Sequence, residues 1–149
     1  MGYKPSLLLG ILGLIPFILI VFFCFSAPPD QEVYDLLIFV YVSYAVVISS
    51  FLGGIQWGLI TASSDKIYFI FSPLFISTIP TLVSWIALLF FASSMYLSLI
   101  LIIISFMIAS AFDYYLYQSK IAPFWFLNVR LPLSVCVFVL TIIMFFFIA

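Results

Sequence analysis

Five long apolar segments, separated by short polar breaks, dominate the sequence. They cover residues 6–25, 36–62, 67–92, 95–118 and 132–149. A membrane span needs about 20 predominantly apolar residues, and lipid offers no partner to a free backbone N–H or C=O, so these segments predict transmembrane helices. A β-barrel would need strands with a period of two, which the segments lack. We therefore expect an all-α integral membrane protein, with one five-helix bundle as a single domain over residues 1–149.

The composition excludes two classes of protein. With 68% hydrophobic and 6% charged residues, the chain has too little polar surface to coat a water-soluble globule. The net charge is −1 and there is no run of basic residues, so a nucleic-acid partner is excluded as well. The lipid bilayer is the expected partner.

The first segment resembles a signal peptide in following a single lysine, Lys4. Its apolar stretch is too long for a signal peptide, and Phe25 stands where a cleavage site requires a small residue. We interpret it as a retained transmembrane helix. The sequence has no Arg- and Ser-rich presequence, which favours the cytoplasmic (inner) membrane of a bacterium over import into an organelle.

Positive charges are confined to one side of the predicted bundle. The basic residues are Lys4, Lys66, Lys120 and Arg130. On the opposite side, the connection after the first helix carries Asp30, Glu32 and Asp35 and no basic residue. By the positive-inside rule we expect a cytoplasmic N-terminus and a C-terminus outside.

Small residues recur along the second helix. Ser50, Gly54 and Gly58 are spaced four apart and so share one stripe, with Gly53 beside them. Such a stripe lets another helix backbone approach closely. We interpret these four residues as a helix-packing surface, and favour packing within the protein over homodimerisation.

A polar cluster is predicted near the cytoplasmic ends of the helices. Asp113 is the only acid well inside a span, Gln56 lies at a comparable depth, and Arg130 enters from the same side. We expect Asp113 to accept from Arg130, with Gln56 bridging them and Trp57 and Trp125 forming walls against lipid. Such a cluster could bind a ligand, or it could only hold the fourth and fifth helices together. In a third alternative the pair does not form, and Arg130 reaches lipid phosphate while Asp113 reaches water alone.

The connection before the fifth helix is rich in aromatic residues. The segment "SKIAPFWFLNVRLP" also carries charged and amide side chains, as interfacial segments do. We expect it to lie in the membrane interface, with Pro132 starting the fifth helix.

Metal and catalytic chemistry lack their usual residues. The chain has no His, and its two cysteines, Cys24 and Cys136, are predicted at opposite depths, so no zinc or haem ligand set can be assembled. Asp113 has no second carboxylate for acid–base work. We expect no metal, no cofactor and no enzyme activity.

Several motifs resemble a known family. "GLIPF", "YAVVISSFLGGIQWG", "STIPTLVSWIAL", the Asp113 region and "PFWFLNVRLPLS" follow in this order. Together they resemble the domain-of-unknown-function 3429 family, which includes transmembrane protein 69. The family positions that map here are Gly53, Gly54, Trp57, Gly58, Pro80, Trp85, Asp113, Trp125 and Arg130. Gln56 departs from the family, where His or Arg is frequent. The resemblance implies a fold and an inner-membrane setting, but no activity.

Two classes of function remain open besides the disfavoured enzyme. Small size and little chemistry favour a non-catalytic accessory subunit or assembly factor of a larger inner-membrane complex, such as a respiratory one. The alternative is a carrier or binding protein that holds a small or lipidic ligand in a polar recess of the inner leaflet. Five helices without a recognisable repeat fit poorly with the inverted repeats of many transporters.

Overall fold

Five long helices account for most of the chain. The computed structural model describes residues 3–26 and 30–148. Within them lie α1 (Tyr3–Ser26), α2 (Gln31–Ala62), α3 (Phe71–Phe90), α4 (Met95–Gln118), α5 (Phe124–Phe145) and a short 3-10 helix (Ser64–Lys66). All five α-helices are long and apolar enough to cross a membrane, and the described residues contain no strand. The predicted all-α membrane class is confirmed.

Helix α4 has the predicted bounds because its ends are locally determined. At its start, the Ser94 hydroxyl accepts from the Leu97 N–H at 3.2 Å and so caps the first turn. At its end, Lys120 adopts a left-handed φ of 58°. The Ile121 N–H then reaches the Leu116 carbonyl at 2.9 Å, and the Lys120 N–H reaches Tyr117 at 3.0 Å. These two bonds form a Schellman motif, which turns the chain directly towards α5.

Helix α5 begins eight residues earlier than predicted. Its first residue is Phe124, Pro123 is its N-cap, and Pro132 lies inside it rather than at its start. Pro123 suits a helix start because no intrahelical partner is needed for its missing N–H. An internal proline is tolerated in membrane helices because neighbouring groups can satisfy the freed carbonyl. Residues 124–132 of the segment expected in the interface therefore form the first turns of α5, and Arg130 lies within the helix.

The other helix bounds also differ from the predicted spans. Helix α3 is shorter than the segment 67–92, since residues 67–70 are not helical. Helix α2 is longer and begins at Gln31. Its 32 residues extend for roughly 48 Å, more than the ~30 Å hydrocarbon core, so its acidic first turn has room to project beyond the apolar layer.

The helices pack in a ring that follows chain order. Each helix contacts the next, α1 contacts α5, and α2 contacts α4 across the interior. Phe17 of α1 and Tyr41 of α2 are fully buried and pack edge to face, with ring centroids 5.0 Å apart. A smaller apolar cluster around Ile60 and Leu116 fills the end where α2 and α4 finish and α5 begins. The polar residues described next lie between these two clusters.

Candidate functional site

Asp113 lies at the centre of a buried polar cluster. Its carboxylate Oδ2 accepts from Arg130 Nε at 3.0 Å, and its Oδ1 accepts from Gln56 Nε2 at 2.8 Å. Gln56 Nε2 also donates to the Ala109 carbonyl at 3.0 Å. The side chains of Arg130 and Asp113 are only 9% and 1% exposed. One carboxylate therefore joins α2, α4 and α5.

The turn between α4 and α5 explains why the charged residues meet. Asp113 precedes the end of α4 at Gln118 by between one and two turns, and Arg130 follows the start of α5 at Phe124 by about as much. Two helices that reverse direction through a tight connection place such residues at the same depth. Gln56 lies at the matching distance before the end of α2.

The shared group of the cluster differs from the predicted one. The prediction had Gln56 bridging the charged pair, whereas in the structure Asp113 is the common acceptor between Gln56 and Arg130. This arrangement follows from donor and acceptor capacity, because an ionised carboxylate offers two acceptor oxygens while Gln56 spends both amide protons on Asp113 and Ala109. The buried negative charge is paired and hydrogen-bonded, as burial requires.

The two tryptophans lie on different surfaces. Trp125 is 40% exposed and lines a cavity together with Arg130. Trp57 is 49% exposed, and its indole Nε1 donates to the Leu74 carbonyl of α3 at 3.2 Å. Trp57 therefore belongs to the α2–α3 surface, and the prediction that both indoles wall the same recess is wrong for Trp57.

A cavity of about 530 Å³ lies beside Arg130. Its walls come from α1, α2, α4 and α5 and include Gly13, Phe17, Leu52, Phe106, Trp125 and Val137. Besides the Trp125 indole, its polar side chains are Ser6, Arg130 and Ser134. The arrangement offers an apolar volume with a guanidinium at its wall.

The small residues of α2 are divided between two faces. A Cβ built on Gly53 would lie 2.8 Å from the Ser77 carbonyl oxygen and 3.0 Å from Thr81 Oγ1, so Gly53 is where α2 approaches α3 closely. A Cβ on Gly54 or Gly58 would have no neighbour within 4 Å. The predicted packing stripe through Ser50, Gly54 and Gly58 is thus wrong as an internal contact. These three residues instead line an open groove of about 470 Å³ between α2 and α3.

Hydroxyl groups not predicted as site residues connect the helices elsewhere. Ser105 Oγ donates to the Pro80 carbonyl at 2.7 Å and lies 2.9 Å from Ser49 Oγ, which joins α2, α3 and α4. Tyr41 and Thr141 join α2 to α5 at 2.8 Å. The sequence signal that identifies Ser49 is its spacing of four and seven residues from Gly53 and Gln56, which marks one helical face.

Comparison with known proteins places the chain in a family. A family model described as "Protein of unknown function (DUF3429)" matches residues 3–146. Transmembrane protein 69 of Xenopus tropicalis is 35% identical over 136 residues, which cover 89% of this chain and 50% of that protein. Transmembrane protein 69 of Mus musculus is 34% identical over 92 residues, which cover 58% of this chain and 34% of that protein.

The family model covers nearly the whole chain, whereas the chain covers only part of each relative. The chain spans half the length or less of the curated relatives it matches. No solved structure matches. The family resemblance of the sequence motifs is confirmed, and the apolar helices agree with the names of the relatives. This chain is therefore a multi-pass membrane protein that belongs to the DUF3429 family.

Proposed function

We propose that this protein is a non-catalytic accessory subunit or assembly factor of a larger membrane complex, such as a respiratory complex. The observation that carries the proposal is the open α2–α3 groove, lined by Ser50, Gly54 and Gly58. Helix association in lipid depends on close packing, and small residues allow it. The groove accordingly fits a transmembrane helix of a partner.

Two hydroxyl groups of the groove already use their protons inside the protein, which supports helix packing at this surface. Thr61 Oγ1 donates to the Trp57 carbonyl at 3.0 Å, and Thr78 Oγ1 donates to the Phe75 carbonyl at 2.7 Å. Each hydroxyl thus uses its proton within its own helix. A partner helix can cover this surface without stranding either proton.

The proposed setting is a bacterial cytoplasmic membrane with the N-terminus inside. Arg130 is buried and paired, so the charge bias that supports this orientation rests on Lys4, Lys66 and Lys120. The groove then lies towards the cytoplasmic half of the bilayer. A C-terminal alkaline phosphatase fusion, which is active only outside the cytoplasm, should be active; an inactive fusion with a fluorescent cytoplasmic counterpart would reverse the orientation.

Affinity purification tests the partner proposal. The tagged protein, at native expression, is solubilised mildly and its co-purifying proteins are identified and quantified. We expect stoichiometric recovery of a membrane complex with the wild type and loss of most of it with Gly54→Leu, because a bulky side chain fills the groove. Ala111→Leu, on an exposed face of α4, is the matched control and should retain the partner. Equal recovery with Gly54→Leu and Ala111→Leu would exclude the groove as the docking surface.

The second candidate function is the binding of a small or lipidic ligand. It is favoured by the cavity of about 530 Å³, within the size range of small-molecule sites, with a guanidinium in a mostly apolar wall. This site is independent of the groove, since the two share no lining residue. Recovery of a monomer with a bound lipid, in place of a complex, supports this function over the first.

A further inference from the structure

We propose that the cavity beside Arg130 holds one acyl chain of a membrane glycerolipid, whose ester carbonyl accepts a hydrogen bond from the Arg130 guanidinium. The proposal rests on the second function above and specifies the chemistry of its ligand. It follows from the length of the cavity, the unused donors of Arg130 and the charge balance of the site.

The length of the cavity fits one leaflet. Along α1 its lining runs from Ser6 to Phe17. At about 1.5 Å per residue this is roughly 17 Å, close to half of the ~30 Å hydrocarbon thickness of a bilayer. The lining along this path is mostly apolar, so it suits a hydrocarbon chain and offers little to a polar solute.

The cavity opens beside Gly13, where α1 lacks the contact with α5 that it makes at Gly10. A Cβ on Gly10 would collide with the Leu133 side chain, so α1 rests on α5 at that point. A Cβ on Gly13, one turn further along, would have no neighbour within 4 Å. Space therefore remains beside Gly13. Leu9, which also lines the cavity, is 67% exposed, so the opening is reachable from the surrounding lipid.

Arg130 has donors left for a ligand. Its Nε is spent on Asp113 at 3.0 Å. Its Nη2 lies 3.0 Å from the same oxygen and is enclosed by protein atoms, so this nitrogen faces Asp113 as an ion pair. A guanidinium carries five N–H groups, and a buried one without an acceptor is costly. Among the described residues Nη1 has no hydrogen-bond partner, and it is not enclosed as Nη2 is, so an oxygen atom in the cavity can accept from Nη1.

The charge balance selects a neutral oxygen. Asp113 already neutralises Arg130, which lines the cavity. A second anion bound at Arg130 would lie beside the Asp113 carboxylate and be repelled by it, in a medium that screens charge weakly. An ester carbonyl accepts a hydrogen bond without adding charge. This argument favours a glycerolipid ester over a free fatty acid.

Fluorescence quenching tests the assignment directly. Trp125 lines the cavity, so the protein with Trp57→Phe and Trp85→Phe retains one indole, at the proposed site. Purified in detergent, it is titrated with phosphatidylcholine whose acyl chains are brominated. We expect saturable quenching. The matched probe is the ether-linked analogue, which lacks only the carbonyls and should bind about tenfold more weakly because it cannot accept from Arg130.

Protein variants test separately whether lipid binds in the cavity and whether its ester carbonyl accepts from Arg130. In the same background, Gly13→Leu should weaken the ester lipid at least tenfold by filling the cavity, whereas Ala111→Leu should not. If ester and ether lipids bind equally and Gly13→Leu weakens both, lipid binding stands but the carbonyl assignment is wrong. If brominated fatty acid binds more tightly than the ester lipid, the neutral-ligand argument is overturned. If Gly13→Leu and Ala111→Leu behave alike with every probe, the cavity is not a binding site and the second function fails with it.

Discussion

The charged cluster and the hydroxyl pairs connect the same helices in different ways. Asp113 holds Gln56 and Arg130 through contacts that none of these side chains could make within its own helix. Thr141 instead donates to the Val137 carbonyl of its own helix at 2.7 Å while lying 2.8 Å from the Tyr41 hydroxyl. Loss of Arg130 therefore leaves a buried, unpaired charge in the charged cluster. Loss of Tyr41 leaves only a partly satisfied hydroxyl on Thr141.

Proton counting shows how the hydroxyl pairs are organised. A hydroxyl has one proton, and Ser105 gives its proton to the Pro80 carbonyl. Ser49 must then be the donor in the contact with Ser105. By the same reasoning Tyr41 donates to Thr141. Each pair is a short chain that ends on a backbone carbonyl, so removal of the outer hydroxyl leaves the inner bond intact.

The largest effect on stability should come from removing the positive charge of Arg130. Arg130→Met leaves the Asp113 carboxylate buried and unpaired, so the free energy of unfolding should fall by about 3–5 kcal/mol. Denaturant titration in mixed micelles measures the change. Adding Asp113→Leu to Arg130→Met removes the stranded charge, so the double variant should lose less than the sum of the two single losses. Additive losses would show that the pair contributes no coupling.

Packing should have the next largest effect, at Gly53. Gly53→Leu forces α2 away from the Ser77 carbonyl, which should lower the free energy of unfolding by about 2–3 kcal/mol. Gly54→Leu is the control one residue away, with open space around it. Its effect on the purified chain should be below about 0.5 kcal/mol. Similar heat resistance of the two variants in detergent would contradict the division of α2 into a packed face and an open face.

The amide of the charged cluster should matter less than the guanidinium. Gln56→Leu removes the bond to the ionised Asp113 carboxylate together with the bond to the Ala109 carbonyl, with an expected loss of about 1.5–2 kcal/mol in the free energy of unfolding. Gln56→His retains an N–H donor and should lose less. Equal losses in the two variants, measured by the same micelle titration, would show that the shape of residue 56 matters and its bond to Asp113 does not.

The smallest effect is expected at Tyr41. Tyr41→Phe removes the outer hydroxyl while Thr141 keeps its bond to Val137, so the loss should be about 0.6 kcal/mol, typical of hydrogen bonds between membrane helices. Thr141→Val is the reciprocal variant. The comparison between the two regions fails if Tyr41→Phe destabilises the protein as much as Gln56→Leu.

The sequence predicts the fold class because the relevant signal is local. Helix α4 has its predicted bounds because Ser94 caps one end and a tight turn ends the other. The sequence does not predict the start of α5, because the first turns of this helix contain Asn128 and Arg130, which are typical of an interfacial connection. Asn128 is indeed exposed, but the burial of Arg130 becomes understandable only when the carboxylate on α4 is placed opposite it. A tertiary partner thus overrides the local preference for water.

The sequence predicts which side chains form the candidate site, but not which face of α2 packs against α3. A carboxylate, an amide and a guanidinium at one depth indicate a cluster, and these three groups do meet. The choice between Gly53 and Gly54 differs by one residue, about 100° around a helix. Small residues occupy both faces, so their spacing alone does not identify the packed face. Gln56, which shares its face with Gly53, is the residue that points to the correct choice.

The short separation of Asp113 and Arg130 along the chain has a consequence for biogenesis. Seventeen positions separate them, whereas Gln56 precedes Asp113 by 57. Asp113 leaves the ribosome before Arg130, and a carboxylate left alone at the centre of a membrane helix costs about 2.5–3.5 kcal/mol. Gln56, on a helix made earlier, is the one side chain of the cluster available to receive it. We expect the amide to hold the carboxylate first, until the α4–α5 hairpin closes and Arg130 neutralises the charge.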